Sequence, residues 1–119
     1  MSEVTTLTRD EFPALLREIP DLPHSLYIRG SLPPPEYKLL AVVGSRRMSH
    51  YGKDACEKII AGLRGYPISI VSGLALGVDG CAHRAALNAR LHTIAVPGSG
   101  LNDDVLYPRA HYSLAQDIL

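Results

Sequence analysis

Leu39-Leu40-Ala41-Val42-Val43-Gly44-Ser45-Arg46-Arg47 is the stretch on which the fold turns: five apolar residues in a row, then glycine, serine and two arginines. A run without polar alternation marks a strand covered on both faces. The same grammar returns twice downstream. Ile68-Ser69-Ile70-Val71 ends in Ser72-Gly73, and Thr93-Ile94-Ala95-Val96 ends in Pro97-Gly98-Ser99-Gly100. Between the runs, residues 49–64 and 78–90 read as helices. Ala55, Ile59, Ile60 and Leu63 share one side of the first; Val78, Ala82, Ala85, Ala86 and Ala89 face inward on the second. Strands separated by helices are parallel and cross over right-handedly. Residues 39–119 are therefore expected to form a Rossmann-like, three-layer α/β domain with a parallel sheet of about three strands, half of a doubly wound sheet. A last helix is expected over 109–118.

Working back from the first run, Ser31-Leu32-Pro33-Pro34-Pro35 is a stiff extended connector, because proline fixes φ and biases the residue before it away from helix. Leu26-Tyr27-Ile28 reads as a short edge strand. Residues 8–19 read as an amphipathic helix: Thr8 as N-cap, Asp10 and Glu11 in the first turn, then Phe12, Leu15, Leu16 and Ile19 before Pro20 ends it. Residues 1–38 are thus a helix and a proline-rich lead-in.

A length of 119 residues suits one domain, and 46% apolar with 20% charged residues is a globular composition. No apolar run approaches the roughly 18–20 residues of a membrane span. Met1-Ser2-Glu3-Val4-Thr5 has neither a basic nor an apolar leader region, so a cytosolic protein is expected. Cys56 and Cys81 both fall in helices and read as small buried apolar residues, with no spacing suited to zinc. A formal net charge of zero argues against a protein that coats nucleic acid by bulk charge. The charge is uneven, however. Residues 41–90 carry seven basic side chains (Arg46, Arg47, Lys53, Lys58, Arg64, Arg84, Arg90) and three acidic ones (Asp54, Glu57, Asp79), a local excess of +4.

Ligands of open parallel sheets bind beyond the carboxyl ends of the strands. All three ends here carry glycine: Gly44-Ser45-Arg46-Arg47, Ser72-Gly73-Leu74-Ala75-Leu76-Gly77 and Gly98-Ser99-Gly100. The first two loops lead into helices, whose free N–H groups and positive dipole ends attract anions. Ser45 and Ser72 add hydroxyls, Ser49 opens the first helix, and Arg46 brings a planar, permanently charged fork suited to phosphate. The convergence points to a phosphate-bearing ligand, with Lys53, Asp79 and His83 as supporting candidates. Asp79 and His83, four residues apart, share a helix face; they are either a ligand pair or local supports, the aspartate for the helix start and the histidine in a polar niche. Tyr51 and Tyr107 are the only aromatic rings near the loops, which favours phosphate contacts over base stacking.

Two enzyme signatures fail. A dinucleotide site needs Gly-x-Gly-x-x-Gly after the first strand and an acidic residue near the end of the second; here stand Gly44-Ser45-Arg46-Arg47-Met48-Ser49 and Val71-Ser72-Gly73. No Gly-Lys-Ser/Thr marks a Walker A loop. No serine–histidine–acid or cysteine–histidine set follows from the spacing, and the residues give no positive sign of catalysis.

Gly44-Ser45-Arg46-Arg47-Met48-Ser49-His50-Tyr51-Gly52 resembles the first signature of the DNA-processing protein A (DprA/Smf) family. Ser72-Gly73-Leu74-Ala75-Leu76-Gly77-Val78-Asp79, with Ala82-His83 and Ala86-Leu87, resembles the second. Thr93–Val96 with Gly98-Ser99-Gly100-Leu101 and Tyr107-Pro108 resembles the third, and Leu22-Pro23 with Leu26–Gly30 fits the lead-in. The resemblance covers residues 12–119. It implies binding of single-stranded DNA without strong sequence preference, loading of the RecA recombinase during natural transformation, a dimer, no catalysis and no cofactor. It also implies that Arg46 lies in a basic pocket for DNA phosphates.

Family members continue for roughly another half-domain that completes the sheet and adds a further basic motif. This chain ends at Leu119, as a fragment or a natural short relative would, which puts strong DNA binding and the usual recombinase contacts in question. With the later strands gone, Leu39–Val43 is left as an apolar edge, and a homodimer or higher oligomer covering it is expected. Two other readings stand beside DNA binding. One is a nucleotide-binding relative such as the cytokinin-activating phosphoribohydrolases, whose Pro-Gly-Gly-x-Gly-Thr is echoed by Pro97-Gly98-Ser99-Gly100-Leu101 without the downstream glutamate. The other is a folded module that mediates oligomer contacts only.

Overall fold

The computed structural model describes residues 3–119; the leader reading at Met1 and Ser2 lies outside the described residues. The chain divides into two compact units, one comprising the residues up to Ser31 with Leu119, the other Leu32–Ile118.

The first unit holds an antiparallel pair, β1 (Thr5–Thr8) and β2 (Ser25–Ile28), registered Thr5 to Ile28 and Thr8 to Ser25. The helix expected over 8–19 is not formed. In its place are two single 3-10 turns, Arg9–Glu11 and Leu16–Glu18. Thr8 does stand at the N-cap position of the first, where Glu11 Oε1 accepts from its N–H at 2.9 Å. Pro13 explains the break: it has no N–H to give, and it drives Phe12 to an extended ψ of 148°. Arg9 then ties the turn to the lead-in by donating to the Leu22 and Pro23 carbonyls.

The second unit is the expected parallel sheet. Its strands are β3 (Lys38–Ala41), β4 (Ile68–Ser72) and β5 (His92–Ala95), in the order β3-β4-β5. Leu40 pairs with Ile70, and Ile70 with Thr93. Helix α1 (His50–Ala61) joins the first two strands and α2 (Val78–Asn88) the last two. A 3-10 turn, Arg109–His111, leads into α3 (Tyr112–Ile118), which packs on α2 and β5. The alanines of α2 do what their spacing predicted: Ala82, Ala85, Ala86 and Ala89 are buried with Cys56, Ile60, Ile70 and Leu91. Small side chains let α1 and α2 approach closely over β4. Leu74, Leu106, Leu114 and Ala115 form a second cluster under α3. Cys56 is buried and Cys81 half-buried, both as free thiols.

Two expectations fail in detail. Ile59 points to water, 64% exposed, because the inward stripe of α1 runs through Cys56 and Ile60. The first strand is not covered on both faces either: all four residues of β3 are exposed, and among the described residues β4 is its one neighbour in the sheet.

The end of α2 carries an unusual choice. Leu91 N–H donates to Ala86 O and Arg90 N–H to Leu87 O, the paired bonds of a Schellman cap. The left-handed residue in that cap is Arg90, at φ 58°, where glycine is the low-energy residue. Replacing Arg90 with glycine is expected to raise the unfolding free energy by about 0.5–1 kcal/mol, measurable by urea denaturation. An unchanged or lower midpoint would contradict the strain.

Candidate nucleic-acid interface

The carboxyl ends of the three strands are stitched side by side. Val42 N–H donates to Val71 O and Val96 N–H to Ser72 O, at 2.9 and 2.8 Å. The three glycine loops therefore line one edge of the sheet, as the sequence order requires. Beyond Val42, the first loop is shaped locally: Ser45 Oγ accepts from Arg47 N–H at 2.9 Å. Gly44 lies against the start of α2, where a Cβ would come within 2.8 Å of Val78 Cγ2. Ser49 caps α1, its hydroxyl accepting from Gly52 N–H at 3.0 Å.

The second loop grips the first. Val78 N–H donates to Ser45 O at 3.1 Å. Gly77 sits at φ +79°, and a Cβ there would overlap Ser45 O and come within 2.7 Å of the Arg46 carbonyl group. Ser72 is buried, and its hydroxyl donates to Val42 O. Gly73 N–H donates to Asp79 Oδ2 at 3.1 Å, and a side chain at Gly73 would strike that carboxylate. Gly80 N–H, in the first turn of α2, donates to Ala75 O. The start of α2 is thus occupied by protein groups and faces a carboxylate, whereas the start of α1 is flanked by cations.

The third loop is the most open. Gly98 has nothing within 4 Å of where a Cβ would lie. Ser99 Oγ accepts from Tyr107 N–H at 3.0 Å and holds the loop to the segment before α3; Gly100 leans on Val105.

Beneath the second loop lies a buried polar chain. Thr93 Oγ1 donates to Ile70 O at 2.9 Å, so its single proton is spent and it accepts from His83 Nδ1 at 2.7 Å. His83 is completely buried and its Nε2 has no partner among the described residues. Burial pushes the imidazole down to about 4, against the pull of Asp79 and the Ser72 carbonyl and with a smaller push from His111. His83 is therefore a neutral ring at pH 7, one turn below Asp79. Nearby, His111 Nδ1 pairs with Leu74 O at 2.8 Å and its ring fills the space left by Gly80. Thr93, His111 and Gly77 were not singled out from sequence. Gly77 was the legible one of the three, being a glycine just before a helix.

The basic residues of segment 41–90 do not form one patch. Because α1 and α2 run back against the strands, Arg46, Arg47 and Lys53 collect at the carboxyl edge, while Arg64 and Arg90 belong to the opposite edge. Arg84 is paired with Asp117 at 2.9 Å. The charged ends of Arg46, Arg47 and Lys53 have no partner among the described residues. Among those residues no group of His, Cys, Asp or Glu could hold a metal ion, and no helix is long and apolar enough to cross a membrane.

A parallel βαβαβ unit with glycine loops along its carboxyl edge is the Rossmann-like class of α/β protein. Within that class the chain belongs to the DprA/Smf family: the sequence profile of DNA recombination-mediator protein A matches residues 3–119. DNA processing protein DprA of Streptococcus pneumoniae is 47% identical over 105 residues, 88% of this chain and 36% of that protein. Protein Smf of Escherichia coli K12 is 41% identical over 108 residues, 91% of this chain and 28% of that protein. The crystal structure of S. pneumoniae DprA superposes with a TM-score of 0.87 at 41% identity, covering 98% of this chain and 41% of that one. DNA processing protein A of Helicobacter pylori, whose structure concerns its single-stranded DNA binding mode, superposes with a TM-score of 0.78 at 28% identity, covering 98% and 51%. This chain thus spans about a third of the length of the curated relatives it matches.

Proposed function

We propose that the chain binds single-stranded DNA by its phosphates, as a non-catalytic module of DNA processing and recombination. The observation that carries this is the gathering of three unpartnered cations, Arg46, Arg47 and Lys53, beside a loop whose backbone is fixed by Ser45 and Gly44. A preformed loop with unpaired guanidinium groups pays little to receive a phosphate, and Arg46 can do so bidentately. Ser49 N-caps α1, whose positive dipole end adds to the same field.

The remaining sequence candidates take other parts in this reading. Ser72 and Gly73 shape the second loop through Val42 and Asp79, and His83 supports it from below. Asp79 repels phosphate from the start of α2, so the strand is steered to the first loop. Gly98 leaves an open stretch on the third loop, which Ser99 and Gly100 hold against Tyr107 and Val105. The exposed Leu39 and Leu40 of β3 support self-association along that edge, and RecA is the proposed protein partner, loaded onto the bound strand.

Fluorescence anisotropy with oligo-dT tests the site. Arg46→Ala is expected to weaken binding about tenfold at low salt, the weight of one charge-assisted contact. Arg84→Ala, whose guanidinium already serves Asp117, should leave it unchanged. Equal losses in both variants would sink the proposal.

A further inference from the structure

At the amino ends of the strands, opposite the glycine loops, lies a second concavity of about 240 Å³. Tyr37, Tyr66, Pro67, Arg90, Leu91 and His92 line it, and no acidic side chain does. Its rim is held by backbone bonds. Tyr37 N–H donates to Pro34 O, so the rigid proline connector sets the first ring; Lys38 N–H donates to Pro67 O at 2.9 Å and brings Tyr37 beside Tyr66. On the far side Ser69, completely buried, fixes His92 through Nδ1 at 2.7 Å.

Arg90 is the telling residue. Two left-handed residues after helix ends border this cavity. After α1 the position is Gly65, at φ +89°; after α2 it is Arg90, at φ 58°. Glycine meets the backbone demand at the first, and the second carries an arginine in its place, at a conformational cost. Its guanidinium has no partner among the described residues, and neither does the hydroxyl of Tyr37 or Tyr66. The same left-handed position that caps α2 thus sets an unpaired cation at the cavity rim, where a ligand can reach it.

The volume falls below the roughly 300–1,000 Å³ of pockets for drug-sized ligands. It suits one planar ring with one anionic group. Tyrosine faces stack on bases, and arginine pairs with phosphate. We infer that this amino-edge cavity binds a single nucleotide unit, with the base against Tyr66 and the phosphate on Arg90. The site goes beyond the DNA reading of the loops: it stands roughly 13–17 Å away, one strand length, and uses none of their residues. It also supplies an aromatic face beyond the two rings, Tyr51 and Tyr107, that stand near the loops.

The ring and phosphate could come from a free mononucleotide or from a nucleotide within a DNA strand, and amide chemical-shift titration of the 119-residue chain separates the two. With thymidine 5′-monophosphate, the amides of Tyr66, Ile68, Leu91 and His92 are expected to shift and saturate in the millimolar range. Inorganic phosphate or thymidine alone should need about tenfold more. Arg90→Gly should weaken the effect about tenfold while raising thermal stability, so its loss is not unfolding. Tyr66→Leu, at a position 61% exposed, should weaken it likewise. Shifts confined to residues 44–47 and 73–77, or cavity shifts that survive Arg90→Gly, would overturn the inference. In an Arg46→Ala background, oligo-dT that still shifts the cavity amides identifies the strand as the source. Thymidine monophosphate acting alone there identifies the free nucleotide. Both results support the site, and both are independent of the loop reading.

Discussion

Gly77→Ala is expected to destabilise the chain by about 3 kcal/mol or more and to abolish oligo-dT binding along with it. Two effects add. The backbone of Gly77, at φ +79° and ψ −129°, lies in a region that residues with a Cβ scarcely enter. The new methyl would also overlap Ser45 O and the Arg46 carbonyl, both backbone, so no side chain can swing aside. Relief requires the first and second loops to part, which breaks the bond from Val78 N–H to Ser45 O and displaces Arg46. Gly98→Ala is the control. With open space around it, it should change stability by less than about 0.5 kcal/mol. Urea denaturation of both variants checks the pair, and a Gly77→Ala midpoint near the wild type would refute the interlocked loops.

The second large effect is a pH dependence centred on His83. Its folded pKa is lowered to about 4 from an unfolded value of 6.5. Between those values the unfolded chain binds a proton that the native chain refuses, so stability rises with pH through this window. It is fully present above pH 6.5 and lost as pH falls towards 4. The window corresponds to roughly 3 kcal/mol, an order-of-magnitude figure set by how dry the niche is. Asp79 and the Ser72 carbonyl face the ring and moderate the shift, while His111 adds slightly to it. His83→Gln keeps a donor for Thr93 Oγ1 and removes the titration. Its stability should therefore be nearly flat relative to the wild type between pH 7 and pH 4. Parallel curves for the two proteins would show that His83 does not carry the effect.

The parallel unit was readable because its strands are apolar runs and the second helix carries an alanine stripe, while the stripe of the first was displaced from Ile59 to Cys56 and Ile60. Boundaries moved by a residue or two, as in β4, which takes in Ser72. The N-terminal segment misled because its apolar spacing mimics a helix while Pro13 forbids one. Strand β1 was invisible, since Thr5-Thr6-Leu7-Thr8 has no apolar face and its partner lies some twenty residues on. The doubly covered reading of β3 failed for a different reason: an apolar run reports what a strand tolerates, not which neighbours it has.

At the site, the separation of cations was not legible. Seven basic residues within fifty look like one patch, and only the antiparallel return of each helix against its strand sends Arg46 to one edge and Arg90 to the other. The pairing of Ser72 with Val42 and of Asp79 with Gly73 depends on register, which composition does not carry. What spacing did expose was the loop itself, since glycine, serine and arginine after an apolar strand leave few alternatives.

The central claim is that Arg46 neutralises a phosphate of bound single-stranded DNA. The most direct test is the affinity for fluorescent oligo-dT across a salt series, for the wild type and Arg46→Ala. One phosphate contact contributes a slope of roughly 0.7 in log K against log salt for a single strand. The wild type should weaken steadily with salt, and Arg46→Ala should show a slope shallower by about that amount. Identical slopes, or no binding by the wild type at low salt, would contradict the claim.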